Sequence, residues 1–257
     1  LYPFLYMLIT SVKSPEDVMD VTVNWLVNQV YVHNYALSWE ALQYPVTLLR
    51  TVFLVVVCTL GHLIACSLVG YGFARFEFRG KGVLFIFLLL AIIVPPQTIV
   101  TPLYMIYAGI GITNTMLPLI LPTWLGLGLK GGLFIFLFRQ FYMTFPVSLY
   151  ESAKLDGCGN LRFIVKILIP LTKSAIGAMA VYTFINAWNM YMWPLLVTGS
   201  STYRTVQIGI GMLDSVDSQS ITLMIAGVVM IIVPSISIFI IGQKQLIRGM
   251  FSGAVKG

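Results

Sequence analysis

Uncharged stretches of membrane-crossing length recur along the chain, separated by short polar segments. A helix spans the roughly 30 Å hydrocarbon core of a bilayer with about 20 residues, and Thr51 to Ala74 meets that length without a charge. Gly82 to Leu129 is uncharged for 48 residues, too long for one crossing at about 1.5 Å per residue. It must fold back, and Ala108-Gly109-Ile110-Gly111-Ile112-Thr113-Asn114 supplies the turn, because two glycines and a Thr-Asn pair interrupt the apolar run. Spans are therefore expected at about 46–74, 83–108, 116–138, 171–198 and 221–245. Leu1 to Val12 is apolar but covers only about 18 Å as a helix. It reads as the closing part of a further span, about 1–12, since it has neither the basic start nor the small-residue cleavage site of a signal peptide. The expectation is one polytopic all-α membrane domain over residues 1–257, with six spans of which the first is truncated.

A transmembrane barrel would need segments of about ten residues with alternating polarity, a pattern absent from these continuous runs. The composition agrees: 58% of residues are hydrophobic and 9% charged, against about 25% charged in soluble domains. The net charge of +6 could suggest nucleic acid, but its distribution argues for membrane topology. When loops are assigned alternately to the two sides, one side carries 11 Lys and Arg (Arg75, Arg79, Lys81, Arg139, Lys154, Arg162, Lys166, Lys173, Lys244, Arg248 and Lys256) against three acids. The other carries three basic residues against six acids. The positive-inside rule makes the first side, and the C-terminus with it, cytoplasmic. No nucleic-acid partner is implied. Cys58, Cys66 and Cys158 have no spacing of a disulfide framework or zinc site, and no metal site is expected.

One cytoplasmic loop, about 142–170, is long enough to need structure of its own. Ser148-Leu149-Tyr150-Glu151 has the spacing of a capping box, with Ser148 as the N-cap and Glu151 reaching back. Gly157 can supply the left-handed residue that ends the helix, and Gly159-Asn160 then permits a turn into a second helical stretch, Leu161 to Ile169, closed by Pro170. Leu149 and Leu155 are available to pack, and Ala153 offers a small contact surface. An amphipathic connector resting on lipid headgroups is the plain alternative.

Within this loop Glu151-Ser152-Ala153, three residues, Gly157, nine residues, Ile167, one residue and Ile169-Pro170 resemble the signature of membrane subunits of binding-protein-dependent ABC importers. Ser152 and Ile169 depart from that pattern conservatively. Tyr71-Gly72-Phe73-Ala74-Arg75-Phe76, Pro95-Pro96-Gln97, Pro102-Leu103-Tyr104, Phe138-Arg139-Gln140-Phe141, Trp188-Asn189, Trp193-Pro194-Leu195 and the ending Gly253-Ala254-Val255-Lys256-Gly257 are similar to the carbohydrate-uptake branch, the group of the smaller membrane subunit of the maltose importer.

The resemblance implies a six-span type I importer permease fold in the bacterial cytoplasmic membrane, and a subunit that forms half of a sugar or oligosaccharide pathway. It implies a second homologous permease subunit as a heterodimer partner, two cytoplasmic ATPase subunits that carry ATP and Mg, and an extracytoplasmic sugar-binding protein. This chain binds no cofactor of its own. The signature loop is then a coupling helix seated in an ATPase cleft, carried by Glu151, Ser152, Ala153, Lys154, Leu155, Asp156 and Gly157 with Ile167 and Pro170. Glu151 offers a carboxylate to basic partner groups, and Ala153 allows close approach. Gly253 and Lys256 in the tail can also reach the ATPases. The outer segments Lys13 to Tyr44 and Gly199 to Gln219 can meet the binding protein.

For the pathway, Asn186, Asn189 and Trp193 stand at i, i+3 and i+7, so they share one face of a continuous helix and suit a lining of amides and an aromatic platform for sugar rings. Packing between helices accounts for the same residues. Pro95-Pro96, Pro118 and Pro122 interrupt helices, either to permit bending or for packing. Lys130 lies among four glycines inside a span, where a lysine costs at least about 2.5 kcal/mol unless it faces protein or water. It attracts an anionic substrate, such as an acidic oligosaccharide or glycerol phosphate, or it pairs with protein.

Two other classes fit less well. An ion-coupled secondary transporter needs intramembrane acids, and a membrane-embedded enzyme needs paired carboxylates or a His cluster. His62 stands alone within its span. No phosphate-cradling Walker loop is present, so no catalytic residue is expected and ATP hydrolysis falls to other chains.

Overall fold

The computed structural model describes residues 2–20, 25, 27–199, 201–213 and 220–251. These residues form helices and turns, with no strand among them. In chain order the helices are α1 Tyr2–Ser11, α2 Pro15–Met19, α3 His33–Ala41, α4 Tyr44–Arg75, α5 Lys81–Ile93, α6 Pro96–Gly109, α7 Leu117–Trp124, α8 Gly131–Met143 and α9 Val147–Leu155. After them come α10 Asn160–Phe163, a π turn Ile164–Leu168, α11 Ile169–Leu171, α12 Lys173–Trp188, α13 Met192–Val197, α14 Val206–Leu213 and α15 Ser220–Phe251. Among the described residues two helices, Tyr44–Arg75 and Ile221–Gln245 within α15, are long and apolar enough to cross a membrane unaided. Five spans are reached if each of three bent pairs counts as one.

Three of the expected spans are interrupted along their length, one of them at a bend of this kind. The stretch at 83–108 breaks between α5 and α6 with a turn of 106°. Pro95 causes it: a residue before proline is pushed out of the α region, and both Val94 (ψ 122°) and Pro95 (ψ 131°) are extended. The stretch at 116–138 is interrupted by residues 125–130, where Gly126, Gly128, Leu129 and Lys130 all have positive φ. The stretch at 171–198 ends its helix at Trp188 and resumes at Met192.

The chain divides into two compact units, Leu1–Leu54 with Trp188–Ile238, and Val55–Ala187 with Phe239–Gly257. In the first, Asn34 donates to the carbonyls of Ser11 (3.0 Å) and Lys13 (2.8 Å), which ties α3 to the end of α1. Pro234 lies inside α15 and has no N–H for the Met230 carbonyl four residues back. The Tyr44 hydroxyl donates to that carbonyl instead, at 2.9 Å. A helix-interrupting proline is tolerated in an apolar setting when such a neighbour satisfies the freed group.

The second unit is built on the rest of α4. Cys58, His62, Cys66, Ser67 and Tyr71 are buried at helical spacing, whereas Val56, Leu60, Ile64 and Leu68 point outward. Small and polar residues inside with large apolar ones outside is the arrangement of a membrane helix, because lipid accepts the apolar face and protein must satisfy the polar one. Ser67 Oγ and Tyr142 Oη share a hydrogen bond of 2.6 Å, and Gly70 lets α4 approach α8 so closely that an added Cβ would lie 2.6 Å from Cβ of Phe138. No residue of α5 is buried. Its all-round apolar surface is suited to lipid.

Candidate functional site

The loop at 142–170 forms two short helices joined by a turn, as its sequence predicts, but its entry differs. Pro146, extended at ψ 142°, is the residue before α9, and no side chain caps the helix. The expected capping box is therefore not formed. Helix φ/ψ values begin at Val147, so Ser148 lies already inside the first turn and cannot act as an N-cap. Glu151 consequently does not reach back to the start of the helix. Its carboxylate is exposed and makes no ion pair with a described residue.

The exit is a complete Schellman motif. Gly157 has φ +74°, its N–H donates to the Lys154 carbonyl at 3.0 Å, and the Cys158 N–H donates to the Ala153 carbonyl at 2.9 Å. Both orphan carbonyls are thereby satisfied, and a glycine is favoured because the left-handed region crowds a Cβ. Tyr150 Oη then donates to Asn160 Oδ1 at 2.8 Å, which fastens α9 to the start of α10. The second stretch runs on through the π turn, where the Ile169 N–H donates to the Ile164 carbonyl. Pro170, which cannot donate to Lys166, lies just beyond. It does not itself close the stretch: α11 ends at Leu171, and α12 leaves at 86°.

Burial sorts the signature residues into two faces. Ala153 is buried, at 7% exposure, in a core with Tyr71, Tyr142, Phe163 and Leu168. The close approach that Ala153 allows is therefore made within the chain, where the small residue lets α9 pack on this core. Leu155 is 90% exposed, and Glu151, Ser152, Lys154, Asp156 and Gly157 lie on the surface with it. Ile167 is partly buried and Pro170 exposed.

An aromatic chain connects this segment to the spans. The rings of Tyr150 and Phe163 meet edge to face with centroids 5.3 Å apart, Phe163 lies 6.4 Å from Tyr71, and Tyr71 lies 6.1 Å from Tyr142 on α8. Arg75 closes the junction by donating from one Nη to the carbonyls of Tyr142 and Phe145, both at 2.9 Å. A cation at these last carbonyls also opposes the negative end of the α8 dipole. Sequence reasoning missed Arg75 as a positioning residue, although its place in Tyr71-Gly72-Phe73-Ala74-Arg75-Phe76 marked the segment.

At the other end of α8, Lys130 stands at a helix break within its apolar stretch. It has φ +63° and is the residue before the first turn. Irregular backbone in an apolar run survives only where its polar groups are satisfied, and here the Leu127 N–H donates to Pro122 and the Gly131 N–H to Gly128, both at 2.7 Å. Lys130 Nζ donates to Tyr182 Oη at 3.0 Å and lies 5.6 Å from that ring's centroid. Tyr182 is a further residue not anticipated. Asn186, one turn along α12, donates to the Tyr182 carbonyl at 2.8 Å.

The shared face of Asn186, Asn189 and Trp193 is not formed. The helix ends at Trp188, Asn189 falls in the break and Trp193 belongs to α13, so the α period does not connect them. Gly253 and Lys256 lie outside the described residues. No group of three or more His, Cys, Asp or Glu able to hold a metal occurs among the described residues.

Comparison with known proteins gives this geometry a context. The chain is 30% identical over 260 residues to the arabinooligosaccharides transport system permease protein AraQ of Bacillus subtilis (strain 168), covering 100% of this chain and 91% of that one. It is 28% identical over 256 residues to the lactose transport system permease protein LacG of Rhizobium radiobacter, with the same coverages. It is 29% identical over 194 residues to the sn-glycerol-3-phosphate transport system permease protein UgpE of Yersinia enterocolitica serotype O:8 / biotype 1B (strain NCTC 13174 / 8081), covering 75% of this chain and 67% of that one. A chain from the crystal structure of a bacterial ABC transporter involved in the import of the acidic polysaccharide alginate shares the fold, with TM-score 0.79, 21% identity, and coverage of 95% of this chain and 90% of that one. Residues 59–249 match the model of the binding-protein-dependent transport system inner membrane component family. That match takes in α8, α9 and the signature turn, and the chain belongs to this family as a membrane-embedded permease subunit of an ABC importer.

Proposed function

We propose that the chain is a non-catalytic subunit of an ATP-driven oligosaccharide importer, and that α9 is the element through which ATPase subunits drive it. The observation that carries this reading is the division of α9 into a face packed on its own core, through Ala153, and a face left outward, with Glu151 and Leu155. An exposed leucine beside a carboxylate with no ion-pair partner among the described residues suits a docking surface on another protein. Closure of two ATPase subunits on ATP and Mg moves α9. The aromatic chain from Tyr150 to Tyr142 passes that motion to α8, whose 13 residues span about 20 Å and end beside Lys130. The charge asymmetry supports a cytoplasmic position for α9 and for the C-terminus. A second permease subunit supplies the other half of the pathway, and an extracytoplasmic binding protein delivers the sugar. The carbohydrate class rests on the likeness to AraQ and LacG over the whole chain.

Reconstitution with partner permease, ATPase subunits and binding protein tests the class directly. Uptake of arabino-oligosaccharides into vesicles must require ATP on the ATPase side and stop with vanadate; uptake driven by an ion gradient alone overturns the reading.

A second reading concerns substrate charge. Lys130 is exposed and its ammonium rests on the Tyr182 hydroxyl, and it makes no ion pair with a carboxylate among the described residues. An ammonium without a counter-ion in the pathway favours a uronate or phosphate group. A Lys130→Gln variant is then expected to lower uptake of an anionic sugar several-fold more than that of a neutral one, and equal losses on both remove charge recognition.

A further inference from the structure

Below the α4–α5 turn a cleft of about 400 Å³ is lined by Phe73, Phe78 and Phe85, with Lys81, Glu77 and Arg139 at its polar side. The Phe73 ring lies near both others, 6.0 Å from Phe78 and 5.8 Å from Phe85. Lys81 is already matched, since its Nζ lies 2.8 Å from Glu77 Oε1. Arg139 is not. Its guanidinium is stacked 4.3 Å above the Phe85 ring, it makes no ion pair with a described residue, and its Nε is cut off from solvent without a hydrogen-bond acceptor. Leaving a charged donor group without an acceptor is costly; the Nε itself is out of a ligand's reach, but the rest of the guanidinium lines the cleft, where an acceptor from outside the chain can meet its Nη groups. The place narrows its chemistry. The cleft lies at the turn between two apolar helices, α4 and α5; α4 is long and apolar enough to cross a membrane, so its end is where a headgroup would be met, and α5 presents no buried residue.

We propose that this cleft binds a phosphate monoanion, supplied by the headgroup of an anionic phospholipid whose acyl chain lies along the three phenylalanines. Arg139 offers several N–H donors in a planar fork that matches phosphate oxygens, and its face is held by Phe85. The first-turn N–H groups of α5 add positive potential on the same side. The excess cation over the Lys81–Glu77 pair selects an anionic headgroup over a zwitterionic one, as basic pockets between membrane helices do.

The test uses the assembled transporter in detergent, followed by native mass spectrometry with phosphatidylglycerol, phosphatidylcholine or inorganic phosphate added in turn. Phosphatidylglycerol is expected to remain bound under conditions that strip phosphatidylcholine. Arg139→Gln is expected to weaken its retention about tenfold, the loss of one charge-assisted hydrogen-bonded contact. Gly82→Asp guards against misfolding of that variant: a Cβ at Gly82 meets nothing within 4 Å, an acid in the first turn of a helix is favourable, and the new carboxylate must repel the phosphate. Equal retention of the two lipids, or unchanged phosphatidylglycerol retention in both variants, overturns the site. Displacement of the lipid by inorganic phosphate at equal concentration overturns the lipid as its source.

Discussion

Gly157 and Gly131 each stand where one helix gives way to another, yet a Cβ at Gly157 would meet nothing within 4 Å whereas one at Gly131 would run into the Gly126 carbonyl. Gly157 is held by its own backbone angle, φ +74°, and the turn it makes keeps one face of α9 outward. Gly131 is held by crowding inside the chain, where the loop at 125–130 folds against the start of α8. The first turn is built locally and leaves its surface outward; the second is built by tertiary contact and supports Lys130. Mutations at the two sites should therefore fail in different ways.

The largest effect is expected from Gly157→Val. A β-branched residue in the left-handed region costs about 1–2 kcal/mol and redirects the end of α9, so ATP-driven uptake should be abolished while the protein remains in the membrane at its normal level. Normal uptake would show that the shape of this turn does not matter for coupling. Gly131→Ala should behave in the opposite sense. Its Cβ overpacks backbone against backbone, at about 1–3 kcal/mol, so the melting temperature of the detergent-solubilised protein falls, and uptake falls with the amount of folded protein. Stability equal to wild type would contradict the crowding. Tyr150→Phe sharpens the contrast at the small end. It removes the bond to Asn160, in an exposed setting, and should cost no more than about 0.5–1.5 kcal/mol, with uptake near normal because the ring still packs on Phe163.

What was legible from the sequence follows the same division. Uncharged length located the apolar stretches, because hydrocarbon thickness acts on every residue alike. The end of α9 was legible too, since a helix-ending glycine is a local event. Ser148 misled because a capping box is also a spacing of residue types, and the extended Pro146 starts the helix two residues too early for it. Asn186, Asn189 and Trp193 misled because periodicity assumes an unbroken helix, and α12 stops at Trp188. Lys130 was marked by its cost, but its partner, Tyr182, is 52 residues distant, and sequence spacing carries no signal for such a pair. Ala153 and Leu155 were both recognised as contact residues, while which of them faces inward depends on the packing of Phe163 and Tyr71, not on the motif.

That inward–outward division is most directly tested by cysteine cross-linking in the assembled transporter, with Leu155→Cys and Ala153→Cys compared in a background whose three native cysteines are replaced. Leu155→Cys is expected to cross-link efficiently to an ATPase subunit in a manner that changes with ATP, and Ala153→Cys to give no such product. Cross-linking from position 153 with none from position 155 would contradict the docking face described for α9.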